Sequence, residues 1–318
     1  MPDKLSRRSV LLGGGSLGLA AVGGLAVWQI ASPGTTSAGA SRSDSPSVTP
    51  SAAPTTSAIA SPVPIAATTV APPPSSASQP PPMKVNVNTA LITSYLTVPY
   101  DLSSVGGSRN GQLRNAYCDE VDIASGVVLH RWSAIDHVPL SDSYMEVPTS
   151  ADAPYDYFHM NSISITPDDQ LLISSRHTCA LYKIDRTTGQ VIWTLGGKSS
   201  SFAVAKDAVF GLQHHAVYED EDTIRLFDDG SGVSYWHDSR VIWIRPDTRA
   251  HTVALADSMT IPGISTSAMG SAQRLANGNV FVSWGIVPRL SEFSPSGEVL
   301  FDATLASPSY RGFKFQVY

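Results

Sequence analysis

The feature that most constrains this fold is a strand, turn, strand pattern that recurs along the chain. The clearest copy spans residues 162–195, where short runs with apolar residues at alternate positions flank the turns TPDD and DRTTG. Apolar side chains at every second position, as at Val191, Trp193 and Leu195, are typical of strands. Gly, Pro, Asn or Asp interrupts each run, which excludes long helices.

Three further copies follow the same pattern. One ends at the DIASG turn of residues 122–126, one spans residues 215–254 with an insertion, and the last spans residues 270–305. Corresponding turns recur at about 50 to 65 residues, a spacing that suits blades of four strands. The sequence therefore predicts an all-β fold, a β-propeller with about four recognisable blades whose inner strand ends surround a central channel.

The chain begins with a segment that predicts export. Residues 6–11 read SRRSVL, a twin-arginine pattern, and a glycine-rich apolar stretch follows to about residue 31. We expect residues 1–31 to be a signal segment and the protein to be extracellular or associated with the cell envelope. An uncleaved membrane anchor stays open as the alternative, because the apolar stretch reaches the roughly 20 residues that span a bilayer.

Residues 32–82 differ in composition from the rest of the chain. They are mainly Ser, Thr, Ala and Pro and hold 12 of the 23 prolines. Such a segment lacks the side chains that build a core, so we expect a disordered tether. Residues 83–318 then carry the folded domain, which is long enough for a sizeable core.

Charge and cysteine content narrow the class of partner. Outside the first 82 residues the chain has 17 basic and 25 acidic side chains, a net charge of −8, which gives no reason to expect nucleic acid binding. Cys118 and Cys179 either pair in an oxidising compartment or stay as buried thiols. Their number and spacing do not suggest a zinc site, and no metal is assigned.

Several ordered motifs carry a family resemblance. They are H-x-N-S at residues 159–162, S-x-R-H-T-x-x-x-Y-K-I-D at residues 174–185, Q-H-x-A at residues 213–216 and F-D-x-G at residues 227–230. With GSAQRLANGNVFVSWG further on, the chain resembles the bacterial arylsulfotransferase family from about Thr89 to about Lys314. The resemblance implies transfer of a sulfuryl group from a phenolic sulfate ester to a phenol acceptor, without a cofactor.

The resemblance also implies a six-bladed propeller. The family has further strands before the segment that matches Thr89, so the chain is expected to be truncated at its N-terminus. Either the early blades are missing or the remaining blades close in an unusual way. Three functions therefore stay open: an exported sulfotransferase, a non-catalytic extracellular binding module, and a truncated, inactive remnant.

The predicted catalytic residues are His159, His214 and Arg240. Sulfuryl transfer requires donors for the sulfate oxygens, a base for the acceptor hydroxyl and an acid for the leaving phenolate, and histidine and arginine provide these groups. By resemblance, the two histidines match the family's sulfate-binding centre and Arg240 matches its arginine. Residues 267–271, where the family has a nucleophilic histidine, read SAMGS. His214 is therefore the first choice for a sulfohistidine.

The predicted substrate-binding residues are Asn161, Arg176 and His177. We expect Asn161 to orient His159, and Arg176 and His177 to add positive charge at the inner edge of a blade. A structural alternative stands beside each assignment: His159 as a hydrogen-bonded strand-end residue, and Arg176 as the ion-pair partner of an aspartate such as Asp185.

Three further groups near the site have expected roles. His215 is expected to be structural, because neighbouring side chains on a strand point to opposite faces. The pair Asp168 and Asp169 is expected to form a hairpin turn, and Asp228 or Asp229 is expected to form a turn, bind a cation or hold Arg240.

Overall fold

The structure is a computed structural model that describes residues 89–231 and 237–315, together with the backbone of Val10–Leu12. Nearly all regular structure in these residues is β, which confirms the all-β prediction. The rest of the expected signal segment, and the expected tether, lie outside the described residues. Four antiparallel sheets follow one another along the chain, and each is built mainly from strands adjacent in sequence.

Sheet 1 is built on a long hairpin. Its first two strands pair over twelve residues, from Thr89 opposite Asp122 to Tyr100 opposite Gly111. The short last strand adds in parallel to the second strand of the hairpin. The members of sheet 1 are β2 (Thr89–Tyr100), β3 (Gly111–Asp122), β4 (Val128–Ser133) and β5 (Pro154–Tyr155), and β1 is Val10–Leu12.

Sheet 2 is a four-stranded meander whose turns were predicted from local sequence. In the first turn Thr166 Oγ1 donates to Asp168 Oδ1 at 2.6 Å and Asp169 adopts φ +58°. In the second turn Asp185 Oδ1 accepts from the backbone N–H of Thr188 at 2.7 Å. Its members are β6 (Met160–Ile165), β7 (Leu171–Ser175), β8 (Ala180–Ile184) and β9 (Val191–Gly196).

Sheets 3 and 4 repeat this meander. Sheet 3 has a fifth, two-residue strand that joins its outer edge in parallel. Its members are β10 (Ala203–Val204), β11 (His214–Tyr218), β12 (Ile224–Asp228), β13 (Arg240–Asp247) and β14 (Thr252–Thr260). Sheet 4 comprises β15 (Ser271–Arg274), β16 (Val280–Ser283), β17 (Arg289–Phe293) and β18 (Val299–Thr304).

A final strand, β19 (Gly312–Lys314), pairs in antiparallel register with β1. The described helices are single 3-10 turns at Ser103–Val105, Ala134–Asp136, Leu140–Asp142 and Lys206–Ala208. No helix in residues 89–231 or 237–315 is long and apolar enough to cross a bilayer.

Three hydrophobic cores separate the four sheets. Trp132 of sheet 1 packs in the first core with Ile173 of sheet 2, while Leu172, next to Ile173, packs in the second core with Ile242 of sheet 3. Trp284 of sheet 4 lies in the third core, against sheet 3. Because β7 is buried on both faces, its apolar residues form a continuous run rather than an alternating one.

Edge strands of sheets 2, 3 and 4 are linked by side chains. Ser162 Oγ on β6 accepts from the N–H of Ala216 on β11 at 3.1 Å, and His215 Nδ1 on β11 accepts from the N–H of Ala272 on β15 at 3.3 Å. Each link joins a side chain of one strand to the backbone of another, so the spacing between neighbouring sheets is fixed at these edge strands.

Strand β19 continues this series past sheet 4. Ser271 Oγ on β15 donates to the carbonyl of Gly312 at 3.2 Å and accepts from its N–H at 3.1 Å. Gln273 on β15 accepts from the N–H of Lys314 at 2.8 Å. Thus β19 lies beside β15 as β15 lies beside β11.

Both cysteines are buried free thiols. Burial, together with nearby carboxylates, raises the pKa of Cys118 to about 12, and burial raises the pKa of Cys179 to about 11. Of the two alternatives left open by the sequence, the structure shows the unpaired one. Neither thiol forms the thiolate that nucleophilic chemistry needs near neutral pH.

Candidate functional site

Polar side chains converge where β6, β11 and β15 begin. The N–H of Met269, just before β15, lies 3.3 Å from Nε2 of His214, the first residue of β11. Arg176, in the turn between β7 and β8, donates from Nη2 to the carbonyl of Ser267 at 2.7 Å. Sheets 2, 3 and 4 therefore meet here, and we call this place the central site. Its members are Asp156, His159, Arg176, His177, His214, Asp229, Tyr310 and Arg311.

Unusual backbone conformations mark these strand ends. His159 has φ +52°, His215 has φ +52° and Met269 has φ +70°. Such left-handed conformations cost about 1–3 kcal/mol for residues other than glycine and are often retained where function requires a particular side-chain position. The strain accompanies register shifts in the pairing of β6 and β11 with the next strands.

His159 is held by an aspartate that the sequence patterns do not single out. His159 Nδ1 lies 2.7 Å from Asp156 Oδ2, so the carboxylate fixes the orientation of the ring. His177 donates from Nδ1 to the backbone carbonyl of Asp156, and the two imidazole centroids are 4.5 Å apart. Asp156 thus organises both rings.

The protonation of this pair follows from its surroundings. Burial lowers the pKa of His177 to about 4, and the nearby charge of His159 acts in the same direction. Burial alone raises the pKa of the Asp156 carboxyl, but its hydrogen bond from His159 and the neighbouring positive charges outweigh burial and lower it. At neutral pH His177 is therefore neutral and Asp156 is a carboxylate.

His214 forms a buried pair with Asp229. The distance from His214 Nδ1 to Asp229 Oδ2 is 2.9 Å, and His214 is 1% exposed. Because Nε2 faces the N–H of Met269, it carries the lone pair, and Nδ1 carries the proton donated to Asp229. Burial, and then the charges of Arg176, His159 and further groups, lower the pKa of His214 well below its ordinary value. His214 is thus a neutral imidazole whose lone pair is on Nε2.

The pKa of Asp229 moves in the opposite direction. Burial raises it well above the ordinary value, and the nearby carboxylate of Asp228 acts in the same sense, against the charge of Arg176. An ion pair between Asp229 and a protonated His214 is therefore disfavoured, although the two side chains are within hydrogen-bonding distance. We therefore expect the imidazole of His214 to be uncharged in the resting protein.

Two arginines have unused donors at the central site. The Nε atoms of Arg176 and Arg311 are buried and have no hydrogen-bond partner among the described residues. Arg311 donates from Nη2 to the carbonyl of Asn161 and lies over the ring of Tyr310, 5.5 Å from its centroid. Both guanidinium charges act on His214. The arrangement suits an anion, because each arginine offers a donor that the protein leaves unpaired.

Tyr310 is an aromatic residue at the edge of the central site. Its ring meets the ring of His214 edge to face, with centroids 6.1 Å apart, and it is 42% exposed. Tyr95 lies near His159, with ring centroids 6.3 Å apart. Aromatic side chains therefore lie near both predicted histidines.

Asn161 has a different contact from the expected one. Its Nδ2 donates to the carbonyl of Gln213 at 2.6 Å, while its Oδ1 is buried and has no partner among the described residues. Asp156, rather than Asn161, contacts His159. Asn161 joins β6 to the start of β11, and its role in substrate binding stays a prediction.

Arg240 is bound to Asp228. Its Nε lies 3.0 Å from Asp228 Oδ2, and its Nη2 donates to the carbonyl of Val209 at 2.8 Å. His237 Nε2 is 3.3 Å from the same carboxylate oxygen. The sequence predicts that Asp228 or Asp229 holds Arg240, and in the structure Asp228 does so. The catalytic role of Arg240 stays a prediction.

Other predicted groups are located as follows. Arg176 contacts Ser267, whereas Asp185 bonds within its own turn, so the alternative ion pair between Arg176 and Asp185 does not form. His215 bonds the backbone of β15 and packs edge to face on Phe313, with centroids 5.5 Å apart. Two aromatic residues near the motifs in sequence, Tyr157 and Phe158, are fully buried in the first core. Two others, Tyr235 and Trp236, lie outside the described residues.

Three site residues are missed by sequence reasoning: Asp156, Tyr310 and Arg311. For Asp229, which the sequence does single out, the pairing with His214 is missed. A signal exists for Asp156, because it precedes His159 by three residues. Arg311 contacts Asn161 across 150 positions, and nothing in the local sequence indicates that approach.

A separate cavity of about 500 Å³ lies at the other end of sheet 3. It shares no residue with the central site, and two of its charged residues, Arg274 and Glu219, pair with each other at 2.5 Å. Its lining comprises Glu219, Asp220, Thr223, Trp243, Arg245, Ala256, Asp257 and Arg274.

With the site described, the family follows from comparison with known proteins. The family model for arylsulfotransferase (ASST) matches residues 83–306, well over half of the chain. The chain belongs to the arylsulfotransferase family. Among curated proteins, none matches this chain.

Several solved structures resemble the chain at low identity. A protein of unknown function from Bacteroides caccae has 12% identity and a TM-score of 0.37, with 61% of this chain and 56% of that chain covered. The β-propeller domain of Cps50 (Swd1) from Myceliophteria thermophila has 13% identity and a TM-score of 0.35, with 66% of each chain covered. The periplasmic gluconolactonase PpgL of Pseudomonas aeruginosa has 12% identity and a TM-score of 0.34, with 61% of this chain and 52% of that chain covered. The chain thus spans about half the length of the first and third of these structures.

Proposed function

We propose that the protein is an arylsulfate sulfotransferase, which moves a sulfuryl group from a phenolic sulfate ester to a phenol. One observation carries this proposal: the neutral His214, held by Asp229, lies beside Arg176 and Arg311, whose buried Nε donors have no partner among residues 89–231 and 237–315. A nucleophile and an anion site are thus adjacent. The family supplies the reaction class.

In the first step His214 is the nucleophile. The lone pair on Nε2, released from its hydrogen bond with the N–H of Met269, attacks sulfur, an N–S bond forms, and the bond between sulfur and the aryl oxygen breaks. Positive charge develops on the imidazole, and the hydrogen bond from Nδ1 to Asp229 stabilises it. Arg176 and Arg311 bind the sulfuryl oxygens.

His159 is the acid and then the base. Protonated His159 donates its proton to the departing phenolate oxygen, and Asp156 holds the ring in position through Nδ1. A phenol acceptor then replaces the first product. His159 takes the proton of the acceptor hydroxyl, the acceptor oxygen attacks sulfur, and the N–S bond breaks. The enzyme returns to its starting state.

The aromatic rings at the site account for a phenolic substrate. Tyr310 and Tyr95 lie beside His214 and His159, respectively, so a planar ring bound between them reaches both the nucleophile and the acid. The exposed fraction of Tyr310 gives substrate access on that side.

The proposal includes the arrangement and the location of the domain. We take the four sheets as propeller blades and β19 as the inner strand of a fifth, because β15 binds β19 as β11 binds β15. The twin-arginine pattern supports export to the cell envelope or beyond, with the apolar stretch as the alternative anchor.

The test is acceptor-dependent turnover. We expect the purified chain to release nitrophenolate from para-nitrophenyl sulfate at a rate that depends on added phenol. His214→Gln should lower that rate by at least about 100-fold, the lower range for loss of a proton-transfer or nucleophilic group. His251→Gln, at an exposed position outside the site, is the matched control and should not change the rate. A folded protein without phenol-dependent release would refute the proposal.

The second candidate is a non-catalytic binding module. It is favoured by the near-complete burial of His214 and by the absence of a histidine at residues 267–271. Such a module would bind para-nitrophenyl sulfate with an affinity that depends on Arg311, and it would release no nitrophenolate at any phenol concentration.

A further inference from the structure

The cluster of Asp156, His159 and His177 contains a buried carboxylate oxygen without a hydrogen-bond donor. Asp156 Oδ2 is used by His159, but Asp156 Oδ1 is buried and has no hydrogen-bond partner in the described part of the chain. A buried carboxylate oxygen without a donor is costly, so its presence calls for a positive partner. The two neighbouring groups are imidazoles, which bind metal ions when neutral.

The orientation of His177 is that of a metal ligand. Its Nδ1 donates to the backbone carbonyl of Asp156, an acceptor that cannot donate in return. The proton is therefore on Nδ1, and Nε2 carries the lone pair. A histidine whose second nitrogen donates to a carbonyl is the usual arrangement around bound zinc, because that bond fixes both tautomer and ring direction.

Backbone contacts preorganise the cluster. The N–H of Arg176 donates to the carbonyl of His159 at 3.0 Å, and the N–H of His177 donates to the carbonyl of Phe158 at 3.2 Å. The segment before β6 and the turn after β7 are thus joined on both sides of the two rings. One ligand atom from each of Asp156, His159 and His177 lies within 4.8 Å of the others.

We propose that Asp156, His159 and His177 form a binding site for Zn²⁺. Two imidazoles and one carboxylate match the ligands zinc accepts, at about 2.0–2.2 Å from the ion, and leave a fourth position for water or an anion. Small side-chain rotations bring the three atoms to the roughly 3.3 Å separation that those bond lengths require. Nitrogen ligands disfavour Mg²⁺ and Ca²⁺, which select oxygen.

Zinc binding has a consequence for the proposed reaction. A zinc-bound imidazole carries at most one ring proton, so His159 cannot form the imidazolium that protonates the departing oxygen, and Zn²⁺ should inhibit sulfuryl transfer. This consequence rests on the proposed function, whereas zinc binding does not. Arg176 and Arg311 stay outside the ligand set.

The experiment measures metal binding directly. The full chain, freed of metal by chelation, is titrated with Zn²⁺ by calorimetry, and with Co²⁺ while visible absorption is recorded. We expect one equivalent to bind and the Co²⁺ spectrum to show coordination by nitrogen and oxygen. His177→Gln and Asp156→Asn should each weaken binding by more than about 100-fold, since even loss of an outer contact costs 10–100-fold. His251→Gln should bind as the wild type does.

Each alternative outcome has a defined meaning. The zinc site is overturned if the wild type binds no Zn²⁺ at about 100 μM. It is also overturned if His177→Gln and Asp156→Asn bind Zn²⁺ as tightly as the wild type does. Equal binding of Mg²⁺ and Zn²⁺ also overturns it. Zinc binding by a protein whose metal-free form shows no sulfuryl transfer leaves the zinc site intact and refutes the proposed function instead. Sulfuryl transfer by a protein that does not bind Zn²⁺ supports the proposed function and refutes the zinc site.

Discussion

At the scale of single residues, burial determines the charge state of the histidines on β11. His214 and His215 are adjacent on β11, yet one faces the central site and the other bonds β15. Both have lowered pKa values, because burial and neighbouring arginines disfavour the imidazolium form. The same effect that keeps both imidazoles neutral therefore makes the fold sensitive to acid.

His215 gives a pH-dependent test of this effect. Burial, with the charges of Arg311 and Arg225, lowers its pKa to about 3. Below about pH 6.5 His215 binds a proton in the unfolded chain, whereas in the folded chain it stays neutral down to about pH 3. The free energy of unfolding therefore falls as pH drops through this window. His215→Asn removes the titrating group and keeps an acceptor for the N–H of Ala272. Asparagine also tolerates the positive φ.

We expect the wild type to lose about 1–3 kcal/mol more stability than His215→Asn between about pH 7 and pH 4, at up to about 1.4 kcal/mol per pH unit. Urea unfolding at several pH values measures this difference. His214 and His177 titrate in both proteins, so they cancel in the comparison. Identical pH slopes in the two proteins would show that His215 is not held neutral.

At the scale of elements, the side-chain links between β6, β11, β15 and β19 align the sheets. The segment before β15 is closely packed, because Gly270 has φ +102° and a Cβ there would lie 2.5 Å from Cδ1 of Phe227. Met269, whose N–H meets His214, is its neighbour. The position of the central site therefore depends on a close approach that only glycine allows.

Gly270→Ala and Gly263→Ala form a matched pair. Gly263 has φ +81° but open space where a Cβ would lie, so its replacement carries backbone strain of about 1 kcal/mol alone. Gly270→Ala carries similar strain and also forces Phe227 to move, at about 1–3 kcal/mol more. Chemical denaturation measures both. Equal loss of stability in the two variants would contradict the packing described for β15.

Strand prediction from sequence succeeds where turn chemistry is local. The apolar runs beside the predicted TPDD and DRTTG turns are strands in the structure, since β7 and β8 occupy Leu171–Ser175 and Ala180–Ile184. The prediction succeeds because Asp168 and Asp185 bond within their own turns. Strand β10, of two residues, is not expected from the sequence. It exists through parallel pairing with β14, about 50 positions away, and such pairing leaves no local pattern.

At the scale of the whole molecule, the four sheets are stacked with cores between them. The outer face of each end sheet keeps apolar side chains exposed, among them Leu96 of β2 at 54% and Leu300 of β18 at 52%. The central site is formed by distant parts of the chain, since Arg311 reaches Asn161 across 150 positions. His159 and His214 are predictable from motifs, whereas Arg311 requires the fold.

The central claim is that His214 carries the sulfuryl group between donor and acceptor. The most direct measurement is mass spectrometry of the protein mixed with para-nitrophenyl sulfate in the absence of phenol and digested under alkaline conditions. We predict one added sulfuryl group on the peptide that contains His214, discharged when phenol is added before digestion. Turnover with no such adduct, or an adduct that persists in His214→Gln, would contradict the claim.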